Sequence, residues 1–145
     1  RTRLPYSGER FGVPDNVYLL GTMNTADRSI ALIDTALRRR FNFVEVPVNA
    51  EFVEDMVLKG VLTKINDGLV NELGSADLLI GHAYFIGKLE DDLLDIMNRN
   101  IIPLLYEYFY DNAKKVKAIV EKVIVDLNYR IVSENTSRLR IEKKV

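Results

Sequence analysis

Apolar positions change their spacing twice along this chain. Residues 16–22 hold the run Val17-Tyr18-Leu19-Leu20, apolar without alternation, which predicts a strand covered on both faces as in a parallel sheet. Ahead of it, residues 1–14 are polar and punctuated by Pro5, Ser7-Gly8, Gly12 and Pro14. That composition predicts a loose hairpin turning near Ser7-Gly8. Asp27 can cap a short helix reaching Arg40, with Ile30, Ile33 and Leu37 as its apolar stripe. Residues 42–48 read as a second strand, stopped by Pro47 and Asn49.

From Glu51 the period becomes helical. Val57, Val61, Leu62, Ile65 and Leu69 stripe a helix ending near Gly74, and residues 78–87 form an apolar connector. Leu94, Met97, Ile101, Leu104, Leu105 and Tyr108 stripe a second helix. Pro103 lies inside it and should kink or split it by removing a backbone donor. Val116, Ile119, Val120, Val123 and Leu127 stripe a third. The tail carries two β-type runs, Tyr129-Arg130-Ile131-Val132 and Leu139-Arg140-Ile141, around a polar Ser-Glu-Asn-Thr-Ser turn, which predicts a terminal hairpin.

Composition narrows the function. The 145 residues carry 20 basic and 21 acidic side chains, a net charge of −1, which argues against a general polyanion binder. No cysteine occurs and only one histidine, so neither a disulfide framework nor a metal site is expected. No apolar run could cross a bilayer and no charged-then-apolar leader opens the sequence, so the expected location is the cytoplasm with no membrane partner. A Gly-x-x-x-x-Gly-Lys-Ser/Thr phosphate loop does not occur in these residues.

Two places carry candidate chemistry. Asn24 follows the first apolar run; it can cap the next helix, or hold a ligand, as residues beyond the carboxyl end of a strand in an open α/β sheet do. Asp27 and Ser29 are alternative caps. Arg38, Arg39 and Arg40 end the short helix. Arg38 stands four residues after Asp34, the spacing of a surface ion pair, and cations at a helix C-terminus also favour its dipole. Arg40 falls on the line of Ile30, Ile33 and Leu37, where a charge needs a receiver outside the chain. It is the leading candidate for a trans-acting arginine, and Arg39 the second. His82 lacks any cysteine to complete a nucleophilic triad, and a structural hydrogen-bonding role is expected of it. The tail cations Arg138, Arg140, Lys143 and Lys144 suit either a nucleic-acid footprint or a solvated strand edge.

Gly21-Thr22-Met23-Asn24-Thr25-Ala26-Asp27-Arg28-Ser29, followed by Ala36-Leu37-Arg38-Arg39-Arg40-Phe41, resembles the McrB family, the AAA+ motor subunits of the 5-methylcytosine-specific restriction enzyme McrBC. Ile80-Gly81-His82-Ala83-Tyr84-Phe85 and the stretch from Ile101 to Tyr110 resemble later blocks of the same family. The resemblance implies a mainly α fold with a minor β part. Residues 1–48 would be the C-terminal portion of an AAA+ α/β core, with two strands and one short helix; residues 49–128 would be a helical lid, and residues 129–145 a tail. In such a core, the strand preceding the phosphate loop lies between the two strands seen here.

The resemblance also implies roles. Asn24 would be the sensor that orients the hydrolytic water, with Asp27, Arg28 and Asp34 supporting the signature. Arg40 or Arg39 would act on nucleotide held by the next subunit of a ring, expected to be a hexamer. GTP or ATP with Mg²⁺ would be the cofactor of the parent protein, GTP preferred, and a McrC-like nuclease its partner. DNA would be met through regions outside this sequence. The 145 residues alone should bind no nucleotide and hydrolyse none. Rival readings are a remodelling ATPase of the MoxR or dynein-like kind, and a degenerate AAA+ module used only for oligomerisation or binding.

Overall fold

The computed structural model describes residues 2–23, 35–132 and 138–145. Two compact units divide the chain, Arg1–Ala31 and Leu32–Val145. In the first unit, β1 (Thr2–Arg3) pairs antiparallel with β2 (Arg10–Phe11), in the register Thr2 with Phe11 and Arg3 with Arg10. The turn sits where Ser7-Gly8 predicts it: Gly8 adopts a φ of 71°, its amide donates to the Leu4 carbonyl, and the Ser7 hydroxyl accepts from the Glu9 amide.

The mainly helical class with minor β content holds, but the two expected core strands do not form. Residues 16–22 have no strand partner, and Tyr18, Leu19 and Leu20 are open to solvent. Residues 42–48 are likewise without strand structure, with Val44 and Val46 exposed. An apolar run becomes a strand only when another strand takes its N–H and C=O groups, and the described residues supply none for either run. Of the helix expected from Asp27 to Arg40, the described part is α1 (Thr35–Arg38).

The second unit is built around the lid region. Asp55 caps α2 (Met56–Leu73), its Oδ1 accepting from the amides of Val57 at 2.9 Å and Leu58 at 3.0 Å. Gly74 ends the helix at a φ of 68°, a left-handed conformation that glycine adopts without a Cβ penalty. The second long helix runs as α3 (Leu93–Ile96), a wide π turn (Met97–Ile101) and α4 (Ile102–Tyr108). In the wide turn the Ile102 amide donates to the Met97 carbonyl, five residues back. Pro103, next in line, brings no amide at all, so the interruption that the sequence predicts here takes the form of an added residue rather than a break. Asn112 caps α5 (Ala113–Ile124).

Leu58, Leu62, Ile65 and Leu69 of α2 meet Val116, Ile119, Val120 and Val123 of α5 and Met97, Ile101 and Leu105 of the second helix in one buried cluster. The tail completes it. β3 (Tyr129–Val132) pairs antiparallel with β4 (Arg140–Lys143), Ile131 opposite Ile141, and Tyr129, Leu139 and Ile141 are buried in the same cluster. The polar turn between these strands lies largely outside the described residues.

Candidate functional site

Of the residues singled out for chemistry, Asn24, Asp27, Arg28 and Asp34 lie outside the described residues, and so does any Asp34–Arg38 ion pair. The arginine row is described. Arg38 is the last residue of α1, and turn bonds from the amides of Arg40 and Phe41 to the Leu37 carbonyl close the helix end. The Arg38 guanidinium lies 5.7 Å from the centre of the Phe43 ring, a cation–π distance. Arg39 and Arg40 are exposed, and no carboxylate among the described residues pairs with either. Two neighbouring guanidinium groups thus face solvent at a helix end, free to receive an anion from another molecule.

His82 takes the structural role expected of it. Its Nδ1 accepts from the Asn49 amide at 3.2 Å, and its ring centre lies 5.3 Å from that of Phe52. Of the four tail cations, Arg138 pairs with Asp111 and Lys143 with Asp91, Lys144 donates to the Leu127 carbonyl, and Arg140 has no carboxylate partner among the described residues; Arg130 on β3 pairs with Glu142. Hydrogen bonding to the Asp91 carboxylate, then its charge, raises the pKa of Lys143 above its ordinary value. No group of three or more His, Asp and Glu side chains among the described residues could hold a metal ion. No helix among the described residues is long and apolar enough to cross a membrane.

Three side chains that the apolar pattern does not flag hold the lid together. Asn66 on α2 donates from Nδ2 to the Ile80 carbonyl and accepts at Oδ1 from the Ile80 amide, at 3.0 and 2.8 Å. Asn98, in the wide turn, does the same to Ile141 of β4, at 2.9 and 2.8 Å. The Tyr106 hydroxyl accepts from the Leu139 amide at 3.1 Å. A carboxamide matches a peptide group donor for acceptor, so Asn66 satisfies both backbone groups of Ile80 in an irregular segment, and Asn98 does so for Ile141 at the edge of β4. The sequence signal is faint: an Asn beside the buried face of a helix, where an apolar or charged residue is usual. Two clefts flank the same hairpin, one beside Asn98 and Arg140, the other beside Tyr106 and Ile124; neither includes a candidate catalytic residue.

The class that this architecture defines is a helical lid with a β-hairpin docked on it. Residues 57–117 match the family described as McrB, alpha-helical lid domain. The type IV methyl-directed restriction enzyme EcoKMcrB subunit of Escherichia coli K12 is 38% identical to this chain, across 81% of the chain and 31% of that protein. The chain belongs to the McrB family, as the Met-Asn-Thr-Ala-Asp-Arg motif implies, and spans under a third of the length of this relative.

Proposed function

We propose that this chain serves as the sensor-and-lid portion of a McrB-like AAA+ NTPase that powers modification-dependent DNA restriction. The observation carrying this reading is the 38% identity to the E. coli restriction subunit, sustained across 81% of the chain and including the lid. Asn24 orients the attacking water, supported by Asp27, Arg28 and Asp34. Arg40, with Arg39 beside it, reaches the nucleotide of the adjoining subunit in a ring, where it neutralises charge that grows on the transferred phosphoryl group. The exposure of both arginines just beyond α1, with no carboxylate partner among the described residues, supports this reading. GTP with Mg²⁺ is the favoured nucleotide, held by a phosphate loop outside these residues, and a McrC-like nuclease is the partner.

The test uses the full-length protein containing this chain, assayed for GTP and ATP hydrolysis with and without the nuclease subunit. Asn24→Ala and Arg40→Ala should each lower kcat by about 100-fold or more while changing nucleotide affinity little, because both act mainly in the transition state. Mixing Arg40→Ala with a phosphate-loop mutant should recover part of the activity, since finger and pocket belong to different subunits. Hydrolysis that neither substitution reduces would overturn the assignment, and absence of rescue at every ratio would place Arg40 outside the neighbouring site. The 145-residue chain alone should hydrolyse neither nucleotide above a protein-free blank.

A further inference from the structure

The lone histidine sits at a junction that the proposed mechanism leaves unexplained. The chain arrives through residues 42–47, exposed and without regular structure, and the matched lid begins at residue 57. Asn49 stands between them. Its side chain caps a single 3₁₀ turn by accepting from the Glu51 amide at 2.9 Å, and Val53 just beyond is buried. Its own amide has one partner among the described residues, Nδ1 of His82, 33 positions away.

His82 is mounted rigidly. Ile80, two residues earlier, is fully buried and clamped to α2 by Asn66, and Phe85, three residues later, is fully buried in the core. The Phe85 amide donates to the His82 carbonyl, closing a turn that fixes the imidazole against Phe52. Accepting at Nδ1 places the proton of the neutral ring on Nε2. A side chain anchored to the lid core on both sides therefore holds the backbone of the segment that enters the lid.

We infer that His82 is a positioning residue that clasps the entry segment to the lid and so sets the lid's orientation for nucleotide capture; this rests on the NTPase reading above. A lid free to pivot at Asn49 spends less of its time in the orientation that closes on nucleotide, and apparent affinity falls by the same fraction. Chemistry in the closed state is untouched, so the effect falls on KM rather than kcat.

The experiment compares two replacements. His82→Phe keeps a ring beside Phe52 but removes the acceptor, whereas His82→Asn places Oδ1 close to the lost Nδ1 and keeps it. In the 145-residue chain, His82→Phe should speed amide exchange at Asn49 about tenfold, with α2 amides unchanged, and His82→Asn should restore the slow rate. In the full-length protein, His82→Phe should raise the KM for GTP about threefold to tenfold with kcat within about twofold, and His82→Asn should return it near wild type. Unchanged Asn49 exchange in His82→Phe overturns the clasp. Faster exchange with unchanged KM, or a loss confined to kcat, overturns its role in capture. A wild-type protein that hydrolyses no nucleotide refutes the NTPase reading itself, while the exchange comparison still decides whether the clasp exists.

Discussion

Asp55 shows how one carboxylate joins distant parts of the lid. Its Oδ1 takes the two amides that open α2, and its Oδ2 accepts from the Glu90 amide at 3.0 Å, where the chain turns into the second helix. The Leu58 amide does most to hold its carboxyl below the ordinary value of 3.8; partial burial opposes it, and the Glu90 and Val57 amides add to the lowering. The unfolded chain therefore takes up this proton at a higher pH than the folded one. The stabilisation is complete above the unfolded value and is lost as pH falls through the lower folded value. Asp55→Ala should cost about 1–2 kcal/mol near neutral pH, the usual loss for a cap. In Asp55→Asn an amide group replaces the acceptor facing Glu90, and no charge remains to titrate. Urea midpoints followed from about pH 6 to about pH 3 should show the wild type's advantage over Asp55→Asn shrinking toward acid. A constant gap would mean that the ionised carboxylate is not what holds these amides.

The contrast between two glycines of α2 defines how closely its helices approach. A Cβ added at Gly60 would meet nothing within 4 Å, whereas one at Gly68 would lie 3.3 Å from Cγ1 and 3.4 Å from Cγ2 of Ile119 on α5. Ile119 is buried and β-branched, with little rotamer freedom to retreat. Gly60→Ala should stabilise by about 0.5–1 kcal/mol through helix propensity. Gly68→Ala meets an overpacking cost of about 1–3 kcal/mol against the same gain, and should be neutral or destabilising. Chemical denaturation decides it: a Gly68→Ala protein as stable as Gly60→Ala would show that the α2–α5 contact yields.

Elements of this kind were largely legible from apolar spacing, because each helix carries its own hydrogen bonds and needs only a buried stripe. In α5, Val116, Ile119, Val120 and Val123 are buried as the stripe predicts. The second helix departs from its stripe: Leu93 and Ile96 are buried ahead of the wide turn, where Leu94 is only partly so, and beyond it the turn rotates the face so that Ile102 is buried and Leu104 only partly. The terminal hairpin was visible in its β-type runs, but the Asn98 and Tyr106 bonds that dock it depend on tertiary placement, to which periodicity is blind. Residues 16–22 and 42–48 read as strands for a sound local reason and formed none, because a strand's partner is not a local property. Motif and helix phase single out Arg39 and Arg40 as candidates, and the structure shows both exposed just beyond α1. Asn49, which carries the clasp, lacked any signal until His82 was seen against it.

At the scale of the whole molecule, the core belongs to one part of the chain. Every buried hydrophobic residue among those described lies between Val53 and Ile141. The described residues before Asn49 contribute exposed apolar surface instead, with Tyr18 and Leu20 above 90% of their full accessibility. The lid supplies its own stabilisation from three helices and a hairpin. Removing residues 1–44, which leaves the Asn49 amide in place for His82, should therefore shift the thermal unfolding midpoint by no more than about 2 °C, since none of the described side chains in that stretch is buried. The shortened chain should also remain monomeric at concentrations where the 145-residue chain associates, because the open runs at 17–20 and 43–44 are gone. Calorimetry and light scattering on the two lengths test this together. A drop of about 5 °C or more would mean that the first 44 residues complete the lid's core, and equal association at both lengths would move the self-contact surface onto the lid itself.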